Sequence, residues 1–257
     1  MALSEEKFYK AKILTRKDLA PDLWVIRLAP GGEFKFVAGQ YCTLGGQVGE
    51  KFVERAYSIV SSPYEAELEL FFELVPEGEF TPFLHTLPEG SDIYMRKIAK
   101  GRFTLDLKSG HKNHLLISTV TGIAPYISYI RTLHKDWREG NFPGDIHIFL
   151  IQAGSRSWEL GYWEEVSKIA NEVPWLHAVA TVSRPWEDAA WSGETGRAED
   201  ILRKYADQWG LKNADTTVYL CGHPQMLENG LGILQRRGFD KKSVKTEAYW
   251  VPAKESE

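Results

Sequence analysis

Arg55-Ala56-Tyr57-Ser58 sets a guanidinium, a phenol ring and a hydroxyl within four consecutive residues. In an extended strand the side chains at i and i+2 share a face, so Arg55 and Tyr57 point one way and Ser58 the other. A guanidinium can fork onto a pyrophosphate, an aromatic ring can cover a planar heterocycle, and a hydroxyl can reach a ring nitrogen. Those are the contacts that a flavin nucleotide requires. A second group follows the apolar run Leu115-Leu116-Ile117-Ser118-Thr119. There Thr121-Gly122-Ile123-Ala124-Pro125 closes a strand and opens a helix, with Pro125 near the first turn. Backbone N–H groups at such a junction face the crevice where a second nucleotide can bind.

Three further stretches carry chemistry of the same kind. Gly78-Glu79-Phe80-Thr81-Pro82 reads as the start of a short helix, Pro82 to Leu87, with Thr81 as its N-cap and Pro82 as its first helical residue. Its free N–H groups would face an anion such as a pyrophosphate. Ser183-Arg184 ends an apolar strand, and Gly196-Arg197 follows it. A 2′-phosphate needs cations and hydroxyls at the carboxyl edge of a sheet, and the planar donor fork of Arg suits it. An acidic residue there would instead favour NAD through the ribose 2′-hydroxyl. Cys221-Gly222-His223-Pro224 ends another strand and opens a helix. A lone cysteine at such a place is a small buried hydrophobe, and His223 reads as a solvated loop histidine.

The elements that must position these groups differ between the two halves of the chain. Up to about residue 107, short strands alternate with turn chemistry: 23–28, 39–43, 52–61, 67–75 and 93–98 are five of an expected six. In the fourth, Leu68, Leu70, Phe72 and Leu74 alternate with Glu67, Glu69, Phe71 and Glu73, which predicts one face inward and one outward. A six-stranded antiparallel barrel is the economical solution. Leu107 to Asn113 reads as a polar linker. Beyond it, strands at 115–119, 146–153, 176–183, 217–221 and 244–250 alternate with helical patterns at 125–135, 157–171, 199–208 and 225–237. That alternation predicts a doubly wound parallel sheet with ligands at the carboxyl ends of its strands. Gly39-Gln40-Tyr41 is assigned to packing within the barrel.

Composition narrows the function. The 257 residues are 43% hydrophobic and 26% charged, enough for two full cores. A net charge of −4 gives no support to nucleic-acid binding. No apolar run approaches the roughly 20 residues of a membrane helix, and the first residues do not form a secretory signal. Cys42 and Cys221 are too few for an iron–sulfur cluster, and no metal site is expected.

With these motifs in this order, from Lys7 to Trp250, the chain resembles the ferredoxin–NADP+ reductase family, and more closely its bacterial flavodoxin/ferredoxin branch. The resemblance implies an antiparallel β-barrel FAD-binding domain over 1–107 and an α/β NADP-binding domain over 108–257. It implies FAD contacts at Arg55, Ala56, Tyr57, Ser58, Gly78, Phe80 and Thr81, and NADP contacts at Thr121, Gly122, Ser183, Arg184 and Arg197. Cys221 would lie beside the nicotinamide, and Ser58 and Glu247 would hydrogen-bond the flavin N5. Tyr249 and Trp250 would cover the flavin, Tyr249 over the ring system and Trp250 toward the adenine. Two departures stand out: Val120 occupies a position usually held by glycine, and seven residues follow Trp250. The implied activity is electron transfer between NADPH and a one-electron carrier, ferredoxin or flavodoxin, in the cytoplasm, through a transient complex. Lys97, Lys100 and Arg102 are candidates to receive that carrier. Two other activities fit the same residues: an NADH-linked reductase component of an oxygenase, and a flavin-bearing relay subunit that does not turn over nicotinamide nucleotide.

Overall fold

A computed structural model describes residues 6–249. The chain divides into two compact units, one holding the residues up to Leu105 together with Ala124–Gly140, the other Asp106–Ile123 together with the residues from Asn141 onward.

In the first unit the strands are β1 (Phe8–Ala20), β2 (Leu23–Ala29), β3 (Tyr41–Val48), β4 (Lys51–Ser58), β5 (Leu68–Glu73) and β6 (Asp92–Arg96). They form one antiparallel sheet in the order β4-β3-β6-β1-β2-β5. An antiparallel bridge from Ile59 to Leu70 joins the segment after β4 to β5 and brings the sheet's two edges together. The expected barrel strands are present, and β1 supplies the one that the apolar pattern did not show. Only Ala11 and Ile13 of β1 are buried, and irregular register between Ile13 and Thr15 and between Asp18 and Ala20 breaks its alternation. The core is aromatic, with Trp24 stacked on Phe72 at 5.3 Å and Tyr57 edge-on to Phe72 at 4.7 Å. Each such buried ring contributes about 1.5–3 kcal/mol through removal from water.

Two short-range expectations are corrected here. The alternation predicts an outward face for Glu69 and Phe71, yet both are buried. For Glu69 the cause is charge pairing: Arg131 Nη2 donates to Glu69 Oε1 at 3.0 Å, and Arg27 lies 3.6 Å from the other oxygen. Arg131 belongs to α2 (Ala124–Arg138), which packs within this unit and whose Ser128 hydroxyl donates to the Ser61 carbonyl at 2.7 Å. The short helix α1 is Phe80–His85 rather than Pro82–Leu87, and Glu79 stands at its N-cap position.

The second unit is a parallel sheet of β7 (Asn113–Thr119), β8 (His147–Gly154), β9 (Leu176–Val182), β10 (Glu194–Thr195), β11 (Thr216–Gly222) and β12 (Val244–Ala248), with helices α3 (Trp163–Glu172), α4 (Ala198–Gln208) and α5 (Pro224–Arg236). The order is β10-β9-β8-β7-β11-β12. The chain starts in the middle at β7, moves outward to β10, and returns to the other side of β7 at β11. That reversal opens a crevice at the carboxyl ends of β7 and β11. The helical pattern from Ser157 resolves into a 3-10 turn, Ser157–Glu159, and a later α3. Tyr162, at φ 66, is left-handed and separates the two. Two residues of β10 are too few to show a period.

Candidate active site

In the first unit, β4 delivers the Arg-x-Tyr-Ser residues in register with β3, Cys42 opposite Tyr57 and Tyr41 opposite Ser58. Arg55 is exposed, Tyr57 is half-buried against Phe72 and Phe80, and Ser58 is buried. Burial pushes the Tyr57 hydroxyl far above its ordinary pKa, so it remains neutral, and its ring packs on Phe72 and Phe80. Arg55 Nη2 reaches Glu79 Oε2 at 3.0 Å, which brings the β4 guanidinium to the first turn of α1. The two anion-binding stretches expected from the sequence, Arg55 and Gly78 to Thr81, therefore converge.

Thr81 does not cap this helix. Its hydroxyl accepts from Val75 N at 3.0 Å and donates back to Val75 O at 3.3 Å, pinning the turn that contains Gly78. Both ends of the Arg55–Glu79 pair are about half exposed, so the pair is weak and Glu79 can release the guanidinium to an incoming pyrophosphate. The residues fit the diphosphate of FAD through Arg55, with the Gly78 turn beside it. Gly39 serves packing as expected: at φ 90 it lies so close to the Phe103 carbonyl that no side chain fits. Gln40 ties the same loop to the Gly101 carbonyl at 3.3 Å.

In the second unit, Thr121-Gly122 and Cys221-Gly222 meet at the carboxyl ends of β7 and β11. A Cβ on Gly122 would collide with the Cys221 carbonyl, and one on Gly222, at φ 130, would collide with the Thr119 hydroxyl. Two bare backbones thus approach each other, which only glycine at both places permits. Thr119 Oγ1 accepts from His223 N at 2.9 Å, and His223 Nδ1 accepts from Gln225 N at 3.1 Å. His223 is a helix cap for α5, a role that its sequence context did not disclose. Val120 has φ 44, the left-handed conformation that the usual glycine would adopt without strain.

Cys221 is fully buried, and burial followed by the Glu247 carboxylate raises its thiol pKa well above the ordinary value. It is a neutral thiol and not a nucleophile. Glu247 lies opposite it in the β11–β12 register, and the Tyr249 side chain hydrogen-bonds it. Cys221, Glu247 and Tyr249 therefore form one group. Trp250 lies outside the described residues.

Further along the same edge, Ser183 and Arg184 leave β9, and Gly196 and Arg197 leave the neighbouring β10. Gly196 N donates to Val182 O at 2.9 Å, and Thr181 Oγ1 donates to Gly196 O at 2.8 Å, which holds these two strand ends together. Arg184 has only a loose ion pair with Glu187, at 3.9 Å. Arg197 is exposed, and among the described residues its guanidinium has no carboxylate partner. Two available guanidiniums at adjacent strand ends suit a 2′-phosphate.

Residues 10–105 match the family model described as an oxidoreductase FAD-binding domain, and residues 116–230 the model described as an oxidoreductase NAD-binding domain. The chain is 29% identical over 226 residues to a flavodoxin/ferredoxin–NADP reductase of Buchnera aphidicola, covering 84% of this chain and 88% of that one. It is 26% identical to the phenol hydroxylase P5 protein of Acinetobacter pittii, over 94% of this chain and 65% of that one. A ferredoxin NADP+ reductase from Neisseria gonorrhoeae, solved with bound FAD and NADP, shares the fold with a TM-score of 0.82 at 24% identity, covering 95% of this chain and 99% of that one. The chain thus carries an oxidoreductase FAD-binding domain followed by an oxidoreductase NAD-binding domain, and along most of its length it is similar to flavodoxin/ferredoxin–NADP reductases.

Proposed function

We propose that the protein transfers electrons between NADPH and a one-electron carrier such as ferredoxin or flavodoxin, with FAD as its resident cofactor. The supporting observation is the β7–β11 crevice, where Gly122 and Gly222 leave bare backbone beside Cys221, with Arg184 and Arg197 at neighbouring strand ends of the same sheet. When bound, the flavin supplies hydride acceptance and release of electrons one at a time. The chain's own groups bind and orient. Arg184, Arg197 and Ser183 hold the 2′-phosphate, Thr121 and Gly122 border the nicotinamide end, and Cys221 packs beside it as an uncharged thiol. Tyr249 covers the site until the nucleotide displaces it. Arg55 holds the pyrophosphate of the cofactor, with Ala56, Tyr57, Gly78, Phe80 and Thr81 lining its seat. Ser58 and Glu247 offer hydrogen bonds to the reactive ring nitrogen.

With only two cysteines the chain cannot hold an iron–sulfur cluster of its own, so the electrons leave to a separate protein. Lys97, Lys100 and Arg102 form a cationic group that suits an acidic carrier, and the working compartment is the cytoplasm. Among the described residues no helix is long and apolar enough to cross a membrane. The test is nucleotide preference. Arg184→Ala is expected to weaken NADPH by about 1.5–3 kcal/mol, on the order of ten- to a hundredfold, and NADH far less. Equal losses for both would show that Arg184 does not contact the phosphate. A second reading, an NADH-linked reductase component of an oxygenase, draws on the similarity to the phenol hydroxylase P5 protein. It replaces the first if NADH outcompetes NADPH in the unmodified protein.

A further inference from the structure

Arg55 shares the proposed flavin seat with a second cation and an acid. Lys51 and Arg55 stand four residues apart in β4 and so point to the same face of the strand. Both reach Glu79 from that face, Arg55 Nη2 at 3.0 Å from Oε2 and Lys51 Nζ at 3.9 Å from Oε1. One carboxylate is thus shared between two cations, and the nearer is the guanidinium assigned to the FAD pyrophosphate.

Capping does not account for Glu79. It occupies the N-cap position of α1, yet its side chain makes no capping hydrogen bond. The backbone that carries it is fixed: Thr81 Oγ1 bonds both Val75 N and Val75 O, and Gly78 N donates to Val75 O at 2.9 Å. Movement is left to the side chain, which at 53% exposure has room for it. Glu54, the acid next to Arg55 in the chain, forks onto Arg96 at 2.5 and 2.7 Å. It offers Arg55 Nη1 its backbone carbonyl, at 2.8 Å. A diphosphate that takes the Arg55 guanidinium must therefore break the pair with Glu79, and it then lies beside a like charge. Lys51, 79% exposed and already facing the other carboxylate oxygen, can receive the displaced group by a short swing.

We propose that Glu79 is an internal counter-ion that competes with the FAD diphosphate for Arg55 and is handed to Lys51 when the diphosphate binds. This rests on the flavin seat proposed above. The triad sets how tightly FAD is held: Glu79 opposes binding, and Lys51 limits that opposition by neutralising the carboxylate once it has left Arg55.

Equilibrium dialysis of the FAD-loaded, full-length protein reads that affinity without reference to turnover. Glu79→Gln, which removes the charge and keeps the shape, is expected to tighten FAD roughly threefold to tenfold at low ionic strength. The gain should fade at about 1 M salt, where the screening length falls to about 3 Å. Lys51→Gln is expected to loosen FAD about threefold, and to lose most of that effect when Glu79→Gln is also present, because no displaced charge then needs a partner. Arg55→Ala should loosen FAD roughly tenfold or more. If Arg55→Ala leaves the affinity unchanged, the diphosphate is held elsewhere, and the flavin seat and the triad fall together. If Arg55→Ala loosens FAD while Glu79→Gln does not tighten it, the seat stands and the counter-ion is overturned. An equal cost of Lys51→Gln with and without Glu79 would mean that Lys51 touches the phosphate itself, which overturns the hand-over. A gain that persists undiminished at high salt overturns the electrostatic origin. Misfolding does not tighten binding, so the expected gain cannot be mistaken for it.

Discussion

At the scale of single residues the most informative position is Val120. It stands in the motif where glycine is usual, and the backbone takes φ 44 there despite the branched side chain. The left-handed conformation costs an L-residue about 1–2 kcal/mol, while glycine at the same place costs about 0.5–1 kcal/mol in chain entropy. Val120→Gly should therefore raise stability by about 0.5–1 kcal/mol in urea unfolding, against the usual direction for valine to glycine. A clear loss of stability would mean that the backbone at Val120 is not left-handed. Residue types marked Arg55, Gly122, Cys221, Arg184 and Arg197 as candidates, and in the parallel-sheet unit Gly122 meets the Cys221 carbonyl while Arg184 and Arg197 leave adjacent strand ends. What they hid was the local partner. Nothing in the order of letters says that Glu79 would take the N-cap position and pair with Arg55, or that Thr81 would turn back to Val75, because both depend on where α1 begins.

At the scale of elements, strong periods were legible and weak ones were not. β5 and the strands of the parallel sheet show in the sequence because their apolar residues repeat or run together. β1 does not, because its bulges break the alternation, and β10 is two residues long. β7 also carries a polar residue that the pattern did not flag. His114 is fully buried, with Nδ1 3.4 Å from the Tyr219 hydroxyl. Burial, the largest cause, lowers its pKa to about 4; Asp106 opposes this, while His111 and Lys245 add to it.

The consequence for stability has a definite sign. Between pH 6.5 and about 4 the unfolded chain binds a proton that the folded chain refuses, so stability is full above that window and falls as pH drops through it. The expected loss is about 2 kcal/mol by pH 5. His114→Leu should flatten the decline in unfolding free energy between pH 7 and pH 5. If the variant and the parent decline in parallel, His114 does not stay neutral in the fold.

At the scale of the whole molecule, the switch from period-two strands to strand–helix alternation marks the change from antiparallel to parallel sheet. The compact units follow it with one exception, α2, which groups with the antiparallel sheet through Ser128 and Arg131 although it follows β7 in the chain. Such a grouping depends on tertiary contacts and has no local signature.

The central claim is that this fold accepts reducing equivalents from NADPH. It is tested most directly by anaerobic rapid mixing of the FAD-loaded protein with each reduced nucleotide, following the visible absorbance of the flavin. NADPH is expected to bleach the flavin at least about tenfold more efficiently than NADH, the ratio expected of a charge-assisted contact to the 2′-phosphate. No bleaching by NADPH, or equal bleaching by NADH, would contradict it.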